Sequence, residues 1–413
     1  MSEKTISNLA VPAPSTSIFQ NRFVQRIMLS AVLLQTGIWV RNFAILLFVM
    51  DKTNNDPFAV SLISVVEFAP IFIFSFIGGT FADRWRPKNT MVWCDLLSAL
   101  SVFVVLLTII FGKWQAVFFV TLLSAIFSQF SQPSAMKLFK RHLSVDQLQT
   151  GMAMFQTIMA IFMIIGPVLG TFVYQTFGIH FAIGVMGLMF LLSAGVLFFL
   201  PPDQRSENEE QTTNVWQEML AGFRYVWSNK VLKTVGGTFV ISGLAVGVIQ
   251  PLSIFIVLER LGLPKENVQW LLMANGAAML IGGGMVMKLA GKMSPQKLLA
   301  IGFFASALSV GGIGLSTEFI LTVAFEFLNG LFFPCIYTGI NTLILQTSEE
   351  AFIGRVNGVL SPLFMGAMVI MMSMAGWLKS QLSLLIIFET AALLFLVGML
   401  LLVPIFNAST ARK

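Results

Sequence analysis

The chain is short of charge. Of its 413 residues, 11% are Asp, Glu, Lys or Arg, and it has 2 Cys, 2 His and 3 Tyr. An ordinary soluble domain carries about 25% charged residues. A water-soluble globular enzyme and a disordered chain both need more polar surface than this, so both are excluded. Cys94 and Cys335 each sit inside an apolar run. They read as small buried hydrophobes and offer neither a disulfide framework nor metal-ligand spacing. His142 and His180 lie far apart at loop edges, so no histidine-based metal or proteolytic centre is expected. The phosphate-loop pattern G-x-x-x-x-G-K-S/T is absent, which argues against ATP-driven work by this chain alone. No cofactor, no metal and no enzymatic activity are expected.

What remains is apolar. Hydrophobic residues make up 56% of the chain, with 40 Phe, 23 Met and 33 Gly, and the mean hydropathy is +0.85. A helix needs about 20 apolar residues to cross a hydrocarbon core of roughly 30 Å. That ruler predicts twelve spans, near 28–49, 58–82, 89–111, 115–136, 150–173, 178–200, 234–257, 268–288, 296–315, 318–343, 356–378 and 383–405. Backbone groups in lipid must be bonded within their own helix, so the expected fold class is an all-α membrane protein. Residues 1–27 are polar, and no cleavable signal peptide is evident.

Lys and Arg set the expected orientation. With the N-terminus in the cytoplasm, 19 of the 25 fall on inside segments and five (Lys52, Lys113, Arg260, Lys265, Lys379) on outside loops. Arg41, within a span, is the remaining one. This positive-inside bias places both termini in the cytoplasm of a multi-pass protein of the cell membrane. The net charge of +6 thus reads as orientation, not as nucleic-acid binding.

A polar stretch at 201–233, opening with Pro201-Pro202, divides six spans from six. The expected organisation is a cytoplasmic segment at 1–27, a bundle at 28–200, a linker at 201–233, a bundle at 234–405 and a tail at 406–413. Within the linker, Val215 to Tyr225 could form an amphipathic helix on the membrane surface or a plain solvated connection. The halves look like repeats offset by about 200 residues: Pro133 and Pro334, Gly78-Gly79 and Gly282-Gly283-Gly284, Gly166 and Gly366. Parallel repeats of this kind predict two pseudo-symmetric six-helix bundles around a cavity near the bilayer midplane.

Charges inside spans cost about 2.5–3.5 kcal/mol each on insertion scales unless paired or wet. Arg41 and Glu67 each lie 13 residues from a turn at residue 54, hence at one depth, about 20 Å from it. An ion pair between them is feasible. It could be a static structural pair, or Glu67 could accept protons under the control of Arg41. Glu326 and Glu389 are the other deep carboxylates, and Asn329 beside Gly330 suggests a cavity-facing break. Gln35, Asn42 and Asn275, with other span amides, could line the cavity or simply bond helix to helix. Asp95, about one turn into its span, could snorkel or join the cluster at Asp83–Arg84.

Two segments carry a resemblance. Gly79-Thr80-Phe81-Ala82-Asp83-Arg84-Trp85-Arg86-Pro87-Lys88 resembles the signature loop of the major facilitator superfamily, G-x-x-x-D-R/K-x-G-R/K-R/K. Gly79, Asp83, Arg84 and Lys88 match; Arg86 stands where the family has Gly, and Pro87 where it has a basic residue. The Asp-Arg-Trp form looks like the macrolide-efflux and siderophore-exporter branch. The resemblance implies a gating clasp in which Asp83 locks against the eleventh helix near Asn357. Gly166-Pro167-Val168-Leu169-Gly170 resembles the antiporter motif G-P-x-x-G-G, with Thr171 in place of the last Gly and Phe162 at an upstream Gly position. The family's fourth span often has Arg followed by Gln; here that span carries no charge.

The resemblance implies a secondary transporter that exports small amphipathic compounds from a bacterial cytoplasm by proton antiport. Its expected partners are a small-molecule substrate, protons and membrane lipids, and it is expected to act as a monomer. A dedicated siderophore or metabolite exporter on the same fold is the alternative. A membrane-integral lipid-handling enzyme would need clustered catalytic groups at one depth, which the two loop histidines do not provide.

Overall fold

A computed structural model describes residue 18 and residues 21–201, 215–289 and 291–404, with the side chains of 75–84, 145–146, 215–218 and 351 outside the description. The elements, in order, are α1 (Arg22–Lys52), α2 (Pro57–Arg84), α3 (Pro87–Ile110), α4 (Ala116–His142), α5 (Val145–Phe198), α6 (Val215–Ser228), α7 (Lys230–Phe255), α8 (Val268–Leu289), α9 (Pro295–Leu315), α10 (Phe319–Thr347), α11 (Ile353–Gln381) and α12 (Leu384–Leu400). Among the described residues there is no strand.

Ten of these stretches are long and apolar enough to cross a membrane, and α12 is a shorter apolar helix. At 1.5 Å per residue, the 54 residues of α5 would extend about 80 Å, far more than one crossing. Gly178 resolves this. Its φ of 75° and ψ of −178° are open to glycine but costly for a side chain, and the chain reverses there into a second arm. Counting α5 twice and adding α12 gives the twelve expected crossings.

The turn between α1 and α2 falls where the depth argument places it. Asn54 and Asn55 have φ of 53° and 61°, a left-handed conformation that Asn tolerates better than most residues. An even number of crossings puts both chain ends on one face. That face, which also holds the linker, is called the terminal face here, and the opposite one the far face.

The packing is pseudo-symmetric. In the first bundle α1 lies on α5, α2 and α3 on α4, and α3 on α5; in the second α7 lies on α11, α8 and α9 on α10, and α9 on α12. The bundles meet chiefly through two pairs, α2 with α11 and α5 with α8. Small residues permit these approaches, as in other membrane helix pairs. A Cβ at Gly276 of α8 would stand 3.0 Å from the Met163 carbonyl of α5, and one at Gly376 of α11 would stand 2.6 Å from Phe58 Cα of α2.

The α5–α8 interface parts toward the terminal face. On α11, Gly358 lies eighteen residues before Gly376, five turns away on the same side, and is exposed, while the α2 side chains of 75–84 lie outside the description. Gly283, two turns beyond Gly276 on α8, has nothing within 4 Å of a Cβ among the described residues. On α5, Gln156 is two turns from Met163 on the same side and is exposed. The bundles therefore touch toward the far face, and α5 and α8 part toward the terminal face.

Candidate functional site

The first charged site lies between α1, α2 and α4. Arg41 is 4% exposed and Glu67 23%, with Arg41 Nη2 3.7 Å from Glu67 Oε1. Asn42 stands between them. Its Oδ1 accepts from Arg41 Nε at 2.8 Å and Nη2 at 2.7 Å, and its Nδ2 donates to Glu67 Oε1 at 2.7 Å. Arg41 Nη1 donates to Ser124 Oγ of α4 at 2.7 Å. A buried ion pair holds only when the remaining donors and acceptors are also satisfied, and here an amide and a hydroxyl do that. Glu67 keeps the larger exposure, so it is the member that water can reach. Gln35 lies two turns from Asn42 on the same side of α1 and is likewise half-buried.

The antiporter-like segment packs directly behind this site. A Cβ at Gly166 would run into the Trp39 ring, and one at Gly170 would stand 2.6 Å from the Trp39 carbonyl and 2.7 Å from Phe43 Cβ. Pro167, buried between them, lies inside α5. Gly166 and Gly170 thus let α5 fit against the turn of α1 that carries Arg41 and Asn42.

The second bundle repeats the chemistry of an amide on a buried carboxylate. Asn275 Nδ2 of α8 donates to Glu326 Oε2 of α10 at 3.0 Å and to the Glu326 carbonyl at 3.1 Å. Glu326 is 8% exposed. Asn329, three residues on, is half-buried. Glu389 belongs to a different contact. Its carboxylate packs on α9, 3.4 Å from where Cβ atoms at Gly311 and Gly314 would stand, and among the described residues its Oε1 has no hydrogen-bond partner.

The sequence-derived gating set divides. Gly79, Asp83 and Arg84 close α2, but their side chains lie outside the described residues, so the clasp onto Asn357 does too; Asn357 itself is half-buried near the start of α11. Arg86 is exposed at the N-cap of α3. Lys88 Nζ donates to the Leu200 carbonyl at 2.5 Å, and Arg26 bonds the Phe199 carbonyl, so two cations cap the end of α5. Asp95 does not snorkel. It is 4% exposed and accepts from Ser193 Oγ of α5 at 2.6 Å, with Ser30 Oγ of α1 2.8 Å from that hydroxyl. The three side chains tie α3, α5 and α1 together inside one bundle.

One feature has no counterpart among the sequence-derived candidates. At the far face, Lys265 of the second bundle bonds Asp51 at the end of α1 in an ion pair, and Tyr174 Oη donates to Asp51 Oδ2 at 2.6 Å. Beneath it, Phe43, Leu47, Met50 and Val60 share one buried apolar cluster with Leu252 and Phe255 of α7 and Ala375 of α11. The far face is therefore sealed between the bundles by a polar latch over an apolar plug.

A family model described as Major Facilitator Superfamily matches residues 27–264 and, again, 235–412. The chain belongs to the Major Facilitator Superfamily. It is a multi-pass membrane transporter of that family and not an enzyme. The MFS-type transporter YkuC of Bacillus subtilis is 25% identical over 85% of this chain and 84% of its own length. Macrolide efflux protein A of Streptococcus pyogenes is 22% identical over 77% of this chain and 79% of its own length. Among solved structures, the nucleoside transporter NupG superposes with a TM-score of 0.74 at 12% identity, covering 93% of this chain and 99% of that one. A peptide transporter, POT, gives 0.74 at 14% identity over 94% of both chains. These likenesses to solved structures concern the fold. The repeated match of the family model agrees with the pairing of helices in the two bundles.

Proposed function

We propose that this major facilitator exports small amphipathic compounds from the cytoplasm in exchange for protons, working as a monomer by alternating access. The observation that carries the reading is the Arg41–Asn42–Glu67 relay, a carboxylate held at bilayer depth yet partly reachable by water. Protonating Glu67 removes one of two opposed buried charges and so changes the relative stability of the two access states. Glu326 is the second carboxylate available to a proton or a cationic substrate. Export is supported by the likeness to macrolide efflux protein A and by the Gly166–Gly170 segment. The Lys and Arg distribution supports placing the terminal face in the cytoplasm. The sealed far face and splayed terminal face then correspond to the inward-open state.

The test is transport of a compound panel in inverted vesicles with and without a pH gradient, for the native chain and Glu67→Gln. Gln keeps an acceptor for Asn42 but cannot ionise. Gradient-driven accumulation is expected to vanish in Glu67→Gln while substrate exchange persists. Unchanged gradient-driven accumulation removes Glu67 from the coupling. The same panel tests the alternative, a dedicated exporter of an anionic metabolite drawn to Arg41: a single anionic compound would then be moved and the amphiphiles ignored.

A further inference from the structure

Helix α6 (Val215–Ser228) presents an apolar face that the two bundles leave uncovered. One side of it is docked. Gly222 lies against the Arg355 backbone of α11, Val226 is 3% exposed, and Tyr225 stacks on Phe352 with ring centroids 4.3 Å apart while its hydroxyl accepts from the Glu349 amide. The adjacent side is bare: Leu220, Phe223 and Trp227 are 51%, 46% and 59% exposed. At about 100° per residue these three occupy an arc of about 60° that borders the docked side at Phe223, and Arg224 and Ser228 follow on its other border, about 40° and 80° beyond Leu220. A helix with one side on protein, one apolar side bare and one polar side suits the corner where a bundle meets a membrane surface.

Charge and aromatic placement say what covers the bare side. Phe223 and Trp227 stack at 5.4 Å, and Lys233 Nζ sits 4.7 Å from the Trp227 ring centroid. Arg224, Lys230 and Lys233 are all exposed around this pair. Asn229 caps α7, which begins at Lys230 and enters the membrane. Trp227 therefore stands about one turn outside a membrane span, the level at which Trp rings and Lys or Arg meet headgroups. Basic residues beside inserted aromatics favour a negatively charged leaflet over a neutral one.

We propose that the Leu220–Phe223–Trp227 face of α6 docks on anionic phospholipid, with Arg224, Lys230 and Lys233 binding the headgroup phosphates. The docking anchors the linker helix, and through it α11, to the membrane surface. It does not depend on what the protein transports or on proton coupling.

The test uses the full chain with Cys94 and Cys335 replaced by Ala and a nitroxide at Leu220→Cys or Ser228→Cys. The protein is reconstituted in vesicles of phosphatidylcholine alone or mixed with phosphatidylglycerol. With phosphatidylglycerol present, the label at 220 is expected to meet dissolved oxygen more readily than a water-soluble nickel chelate, and the label at 228 the reverse. Replacing Arg224, Lys230 or Lys233 by Gln should lower the ratio of immersed to water-exposed label at 220 by about fivefold per cation. Raising salt on the unaltered cations should give the same trend without any change that could perturb folding. Equal chelate access at 220 and 228 in the mixed vesicles overturns the proposal. So does a label at 220 shielded from both reagents, which would report a protein cover such as a second copy. A salt- and charge-independent ratio overturns it as well.

Discussion

Asn42 accepts two guanidinium N–H groups from Arg41 and donates to Glu67, so one neutral amide joins two opposite charges across α1 and α2. The network also fixes which way the amide faces, since the reverse orientation would set its NH2 against the guanidinium. Asn42→Leu leaves a buried guanidinium and a carboxylate each short of a partner. Hydrogen bonds to charged groups contribute about 1.5–3 kcal/mol, so a loss of about 2–3 kcal/mol is expected. Thermal unfolding of the detergent-solubilised protein measures it; Ser124→Ala should cost less, because Arg41 keeps Asn42.

The two glycines behind this relay make a separate prediction. Gly170→Ala forces a methyl group against the Trp39 carbonyl and Phe43 Cβ, both of which belong to the rigid part of α1. Overpacking of this kind costs about 1–3 kcal/mol. At Gly366→Ala the nearest atoms among the described residues belong to the Phe72 ring, the closest 3.0 Å away, a side chain rather than backbone. Yield of folded protein by size-exclusion chromatography should fall for Gly170→Ala and hold for Gly366→Ala.

The latch at the far face should respond to charge. Asp51 is half-exposed, and ion pairs of that sort contribute about 0.2–1 kcal/mol. Lys265→Gln should therefore shift the population toward a far-face opening by a factor no larger than about five. Asp51→Lys combined with Lys265→Asp should restore much of the native balance. Labelling rates of a cysteine placed in the plug at Val60 report the opening.

The splay of the bundles predicts an asymmetry between two glycines on one side of α11. Gly376→Ala should force α2 and α11 apart and cost about 1–3 kcal/mol, since a Cβ at 376 would lie 2.6 Å from Phe58 Cα. Gly358→Leu should leave folding intact, because Gly358 is exposed. It should slow turnover when the terminal side has to close. Thermal unfolding and initial transport rate decide both points.

The depth of each charge was legible in the sequence because helix rise is constant; rotation about the helix axis was not. Counting residues from Asn54 placed Arg41 and Glu67 level with each other, and the structure has them 3.7 Å apart. Glu389 and Glu326 both read as deep carboxylates, and the rotation of α12 turns Glu389 onto Gly311 and Gly314. Asp95 near a helix start resembled a snorkelling group, and two ordinary serines, Ser30 and Ser193, hold it inside. Lys265 reads in the sequence only as an outside-loop cation, and nothing singles out Asp51. Nothing local marks a contact between residues 214 apart in the chain. The glycines at 166 and 170 were readable as contact points, though not which helix they would meet.

The 17 residues of α12 extend about 26 Å at 1.5 Å per residue, against roughly 30 Å of hydrocarbon. Leu401, Leu402 and Val403 carry the apolar stretch further, so the segment matches the core only when nearly upright, and a thicker bilayer would have to pinch beside it at a cost of fractions of a kcal/mol per Å. The protein should consequently be more at ease among lipids with shorter acyl tails, and its heat tolerance should drop as tail length grows.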